Sequence, residues 1–219
     1  PLLNDPTIVE GMDYLIIEST YGARQHSSLE EAKEKLCSAI KRTIERKGKV
    51  LMPSFALERA QEMIYFLNEL MREKKLPPIP IYVDSPLATN ITEVFRTYYG
   101  YFNEQTRQEM RSKKSGPFDF VNLSYISSKE DSKALNNDRR PMIIIAGSGM
   151  CEAGRILHHL KNNISESINT VIVVGYMAEN TLGKRIVERE RFVRIYGVEC
   201  ELNAEVVVIN AFSRHADQN

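Results

Sequence analysis

The stretch "MIIIAGSGMCEAGRILHHLKNN" occupies residues 142–163 and has three unlike parts. Residues 142–147 are an apolar run without alternation, the pattern of a strand buried on both faces. Residues 147–154 are rich in glycine and other small residues, which is turn chemistry. Residues 152–162 read as an amphipathic helix. A doubly buried strand that passes through a short loop into a helix is half of a βαβ unit. It predicts a parallel sheet with right-handed crossovers.

The pattern repeats outward in both directions. Apolar runs at 14–18 ("YLIIE"), 49–53 ("KVLMP"), 79–84 ("IPIYVD") and 170–176 ("TVIVVGY") read as further strands. Helices are predicted over 28–47, 57–74, 87–99, 103–113 and 181–190. The first is the clearest. Ser28 and Glu31 have capping-box spacing. Leu29, Ala32, Leu36, Ile40 and Ile44 form one stripe, and Gly48 sits at the end. Residues 114–140 are the least regular and are expected to hold one short strand. After Arg191 the style changes to "FVRIYG", "ECELNA" and "EVVVIN", strands with no helix between them, expected to belong to a different sheet. The fold class is α/β: a mainly parallel sheet flanked by helices.

Bulk composition excludes more than it selects. The 219 residues carry 29 Lys and Arg against 29 Asp and Glu, so any basic surface must be local. Hydrophobic residues make up 42%, enough for a real core. No apolar run approaches the ~20 residues of a membrane span, and the start has no signal-peptide pattern. Cys37, Cys151 and Cys200 are odd in number and far apart, fitting neither a disulfide framework nor a metal knuckle. A reducing, cytoplasmic setting is expected. The start at Pro1 and the stop four residues after His215 read as the edges of a longer protein.

In a parallel sheet the loops after the strands share one edge, where ligands bind in open α/β folds. Here they are "ESTYG" (18–22), "PSFAL" (53–57), "DSPLA" (84–88), "GSGMCEAG" (147–154) and "GYMAENTLG" (175–183). Backbone amides and hydroxyls beside helix N-termini suit phosphate. Ser54, Arg59, Ser148, Gly149 and Thr181 are the candidate phosphate contacts. Each such loop is also ordinary turn chemistry. Neither the third glycine of a dinucleotide fingerprint nor a P-loop is present, which disfavours a nucleotide-dependent enzyme.

Among four histidines, His26 reads as a solvated loop residue. His158 and His159 are neighbours on a helix, diverge by roughly 100°, and read as surface or partly buried. His215 differs: it follows the strand "EVVVIN", with Asp217 two residues on. Glu18 closes "YLIIE" and could be a solvated cap or a group that orients a histidine. No HxH, HExxH or CxxC offers a metal site within the chain.

These residues together resemble the β-CASP segment of the metallo-β-lactamase-fold nucleases, a group that includes the endonuclease subunit of the cleavage and polyadenylation specificity factor. "DYLIIESTYG" is similar to the family's acidic motif, with Glu18 as the acid. "LMPSFALERAQE" is similar to a Phe-Ala-Leu-Gly-Arg-Ala-Gln segment, with Glu58 in place of glycine. "IIIAGSGMCEAGRILHHL" and "VIVVGYMAENTLGKRI" resemble two further family stretches. "AFSRHADQ" resembles the Ser-Ala-His motif, with Arg214 in place of the small residue. The resemblance implies a Rossmann-like β-CASP domain over 23–195, with 1–22 and 196–219 belonging to a split metal-bearing domain. It implies hydrolysis of single-stranded RNA by two zinc ions whose ligands lie largely outside this chain. His215 would be the general acid and Glu18 its orienting group, and the chain by itself would be inactive. A homodimer is allowed, and the alternatives are DNA cleavage, a non-catalytic nucleic-acid-binding or assembly module of the same fold, and a Rossmann-like nucleotide binder that merely resembles the family.

Overall fold

The computed structural model describes residues 2–4, 7, 9–23, 25–112, 116–212 and 215. Helix α1 (Leu29–Glu45) opens with the expected capping box: Ser28 accepts from the Glu31 amide while the Glu31 carboxylate accepts from the Ser28 amide. Ala32, Leu36 and Ile40 of its stripe are buried, and Leu29 and Ile44 pack at the margin. At its end the left-handed residue is Lys47 (φ 59°), not Gly48. Gly48 is required for a different reason: a Cβ there would lie 1.8 Å from the Ile168 carbonyl oxygen.

The chain continues through β1 (Lys49–Pro53), α2 (Arg59–Arg72), β2 (Ile81–Asp84), α3 (Pro86–Thr97), α4 (Glu104–Ser112) and β3 (Leu123–Tyr125). Then follow α5 (Lys129–Asn137), β4 (Met142–Ala146), α6 (Arg155–Asn163), β5 (Thr170–Val173), α7 (Leu182–Val187), β6 (Phe192–Ile195), β7 (Val198–Glu201) and β8 (Glu205–Val208). Six strands form one sheet in the order β3-β2-β4-β1-β5-β8, and every pairing in it is parallel. Strands β1, β4 and β5 are buried along their whole length, which is why their sequences do not alternate. One face packs on α1, α2 and α3 through Ile40, Ile64 and Phe66. The other packs on α6, α7 and the last hairpin through Ile156, Leu160 and Ile186.

Four expectations need correction. The run 14–18 pairs with no strand among the described residues, and Tyr14, Leu15, Ile16 and Ile17 are exposed; an apolar run cannot supply its own ladder partner. Helix α5 lies inside the stretch read as irregular; its Ser128 cap and acidic first turn were in the sequence, but its polar composition hid the period. Helix α6 begins at Arg155, because Gly154 turns into it at φ 77°, where a Cβ would meet the Gly147 carbonyl at 2.4 Å. Of the three final strands, only β6 and β7 form a separate antiparallel pair. Strand β8 joins the main sheet beside β5. Val206 and Val207, which point to opposite faces, are both buried. Glu205 accepts hydrogen bonds of 2.6 Å from both Arg42 and Arg46, pinning the end of α1 to this strand. Among the described residues no helix is long and apolar enough to cross a membrane.

Candidate active site at the carboxyl edge of the sheet

Parallel strands bring their carboxyl ends to one edge, and two carboxylate–histidine pairs stand there. In the first, His215 Nδ1 lies 3.2 Å from Glu18 Oε2, across 197 residues of sequence. Both side chains remain partly open to solvent, at 46% and 44% exposure. The backbone amide of Thr20 donates to the same Glu18 oxygen at 2.9 Å and fixes the carboxylate. His215 is delivered by β8 and by a short turn, Asn210–Phe212, whose Phe212 ring is buried 5.0 Å from Phe66. Around it stand Tyr21, Tyr176 and His26. Tyr21 and Tyr176 lie 6.3 and 6.2 Å from the His215 ring. His26 Nε2 donates to the His215 carbonyl at 3.1 Å, since a carbonyl can only accept, and its ring packs edge-on against Tyr21. His26 is therefore part of the cluster and not simply a solvated loop residue; a hydrogen bond to a residue so remote leaves no trace in local sequence. Ser213, Arg214 and Asp217 lie outside the described residues.

The five loop candidates share this edge but are spent largely on local structure. Ser54 is buried and donates to the Phe55 carbonyl. Arg59, expected to reach a phosphate, is 7% exposed and pairs with Glu62 one turn on. Ser148 Oγ accepts from the amides of Glu152 and Ala153, and its own amide donates to the Ala153 carbonyl, closing the glycine loop on itself. Gly149 lies under Phe55, where a Cβ would sit 2.5 Å from the ring. Thr181 caps α7 by accepting from the Lys184 amide. Glu152 accepts from the Leu182 amide, tying the loop after β4 to the loop after β5. Glu58, which stands where the resembled pattern has glycine, takes φ 65°. That left-handed conformation favours glycine and costs another residue about 1–2 kcal/mol.

The second pair was missed from sequence. Asp84 ends β2 and is completely buried. Its carboxylate accepts from His159 Nε2 at 2.6 Å, from Ser132 Oγ at 2.5 Å and from Arg155 Nη1 at 2.5 Å. His159 Nδ1 meets Asn136 Oδ1 at 3.0 Å, so both ring nitrogens face oxygen. Burial raises the Asp84 carboxyl, but the hydrogen bonds from His159, Ser132 and Arg155 outweigh it and hold the group below the ordinary carboxylate range. His159 is thus fully buried rather than at the surface, whereas His158, one residue earlier, is exposed. Among the described residues no group of three or more His, Cys, Asp or Glu side chains is arranged to hold a metal ion. The zinc implied by the resemblance therefore does not fit the donors described here.

A family model described as Beta-Casp domain matches residues 60–186, more than half of the chain, and the chain belongs to that family. Among curated proteins it is 39% identical over 218 residues to Ribonuclease TTHA0252 of Thermus thermophilus, covering 100% of this chain and 50% of that protein. It is 35% identical over 208 residues to cleavage and polyadenylation specificity factor subunit 3 of Dictyostelium discoideum, covering 94% and 26%. It is 33% identical over 220 residues to an RNase J-like protein of Methanocaldococcus jannaschii, covering 100% and 50%. The chain thus spans half or less of the length of these relatives.

Proposed function

We propose that this chain is the β-CASP part of a metal-dependent ribonuclease that cleaves single-stranded RNA. His215 protonates the leaving oxygen and Glu18 orients it. The observation that carries this reading is the 3.2 Å contact between Glu18 Oε2 and His215 Nδ1. A carboxylate on Nδ1 fixes the ring and turns Nε2 away from Glu18, the arrangement a proton donor needs. The names of the relatives support a ribonuclease. Zinc would be held by residues outside this chain, so the proposed work of these residues is limited to the proton and the RNA. The loops bearing Ser54, Ser148, Gly149 and Thr181, with Arg59 behind them, form the proposed wall along the RNA, acting through shape and backbone more than through hydroxyls. Segments 1–22 and 196–219 are proposed to lead into the metal-bearing domain, with β8 serving the β-CASP sheet on the way. The chain without that domain is proposed to be inactive.

The test is cleavage of single-stranded RNA by the full-length protein supplied with zinc. His215→Ala is expected to slow cleavage by about 10²–10⁴-fold, the usual worth of a positioned proton donor. Cleavage at the unaltered rate would reject the assignment. Zinc-dependent cleavage by residues 1–219 alone would show that the metal site had been misplaced.

A further inference from the structure

We propose that the groove between α5 and α6 is a binding site for one nucleotide unit, with its phosphate on Lys129 and Lys133 and its base against Tyr196. The groove encloses about 580 Å³, within the range of small-molecule sites. It lies against the helices that cover the second face of the sheet, and none of its lining residues belongs to the Glu18–His215 cluster.

The charge pattern points to an anion. The chain as a whole is balanced, 29 cations against 29 anions, yet no Asp or Glu lines this groove. Lys129 and Lys133 lie one turn apart on α5, and among the described residues neither has an ion-pair partner. Arg155 also lines the groove, but its guanidinium is paired with buried Asp84 and held by the carbonyls of Ile126 and Ser127, so the uncompensated positive charge here is that of the two lysines. Lysines with mobile ammonium groups suit phosphate as point charges.

The aromatic wall points to a base. Tyr196 stands in the two-residue turn between β6 and β7, with φ 52°, followed by Gly197 at φ 74°. The left-handed conformation disfavours a residue with a Cβ. Here it carries a tyrosine that is half exposed and held 4.9 Å from the His158 ring. A two-residue hairpin turn with positive φ at both positions is the tight turn that joins twisted antiparallel strands, so it holds the tyrosine at a fixed place beside the groove. A ring at the mouth of a cationic groove is the arrangement that stacks a base beside its phosphate. Asn137 and Asn162 add amides, which can both donate to and accept from a base edge. This assignment does not use the role given to His215, so either can fail while the other stands.

The experiment measures binding to the full-length protein in metal-free buffer, where RNA stays intact. Two probes separate the two sources of a nucleotide unit: a ribonucleoside monophosphate and a single-stranded RNA pentamer. Lys129→Ala/Lys133→Ala is expected to weaken pentamer binding at least tenfold. It should also make the dependence of log affinity on log salt shallower by about 0.7, the worth of one phosphate contact on a single strand. Tyr196→Ala is expected to weaken it by about tenfold, while Tyr196→Phe keeps the affinity, because stacking needs the ring and not the hydroxyl. Competition by the monophosphate would identify a free nucleotide as a ligand; binding of the pentamer alone would identify a nucleotide within a strand, and either result supports the site. Two outcomes overturn it. One is an unchanged affinity and salt slope in both the lysine and the Tyr196→Ala variants. The other is sensitivity to the lysines with none to Tyr196→Ala, the behaviour of a surface for acidic peptides.

Discussion

Asp84 with His159 and Glu18 with His215 are the same chemical pair in opposite settings. Asp84 is wholly buried and meets three donors, and His159 is equally enclosed. Glu18 and His215 are both close to half exposed, on a loop and a chain end that touch across the sheet edge. A buried carboxylate enclosed by three donors is out of reach of a substrate, and its removal leaves those donors stranded. An exposed pair contributes little to stability but keeps its ring within reach of a ligand. Burial, more than residue type, separates a pair committed to the fold from one left open to solvent.

The largest test of that contrast is His215→Ala in the full-length protein with zinc. Cleavage should fall by about 10²–10⁴-fold, while the midpoint of denaturant unfolding moves by less than the equivalent of about 0.5 kcal/mol, as for other surface changes. A large loss of stability would erase the distinction between the pairs. Next comes Asp84→Ala, expected to cost about 3–5 kcal/mol of stability, because Arg155 and His159 lose their buried acceptor. Denaturant titration reads this directly, and a loss under about 1 kcal/mol would show that the cluster is not a structural tie.

Acid should act on the buried pair in a definite direction. The folded Asp84 carboxyl lies below its unfolded value. Its contribution is therefore complete above about pH 4, the ordinary carboxylate value, and is lost as pH falls through the folded value. The stability gap between wild type and Asp84→Asn should be widest near neutrality and should narrow below about pH 4. A gap constant down to pH 2 would contradict the protonation linkage. The smallest effect is a control distant from the buried pair. Ser28→Ala removes the acceptor from the capping box of α1 and should cost about 1 kcal/mol, with the acid dependence assigned to Asp84 unchanged. Altered acid dependence would mean that the two regions are coupled.

Much of the fold was legible because it depends on local periodicity. Unbroken apolar runs gave β1, β4 and β5, and the Ser28–Glu31 spacing gave the start of α1. Polar α5 was hidden for the same reason: its capping signals were present, but its apolar stripe was too thin to read. Glu18 and His215 stood out because each follows an apolar run at an expected strand end. Asp84 also ends a strand, but its partners come from two other helices, so its role could not be read from its neighbours in sequence.

The sequence by itself determined most of the strands and helices, the parallel character of the sheet and, through several motifs in order along the chain, membership of the Beta-Casp family, since each element and each motif rests on a local pattern. Only the tertiary structure decided that β8 completes the main sheet, that Arg59 is buried against Glu62, that His26 supports the His215 backbone and that Asp84 and His159 are locked together. The reason is physical. Hydrogen bonding and burial depend on distance in space, and the chain brings together residues 197 positions apart as readily as neighbours once the strand order is set.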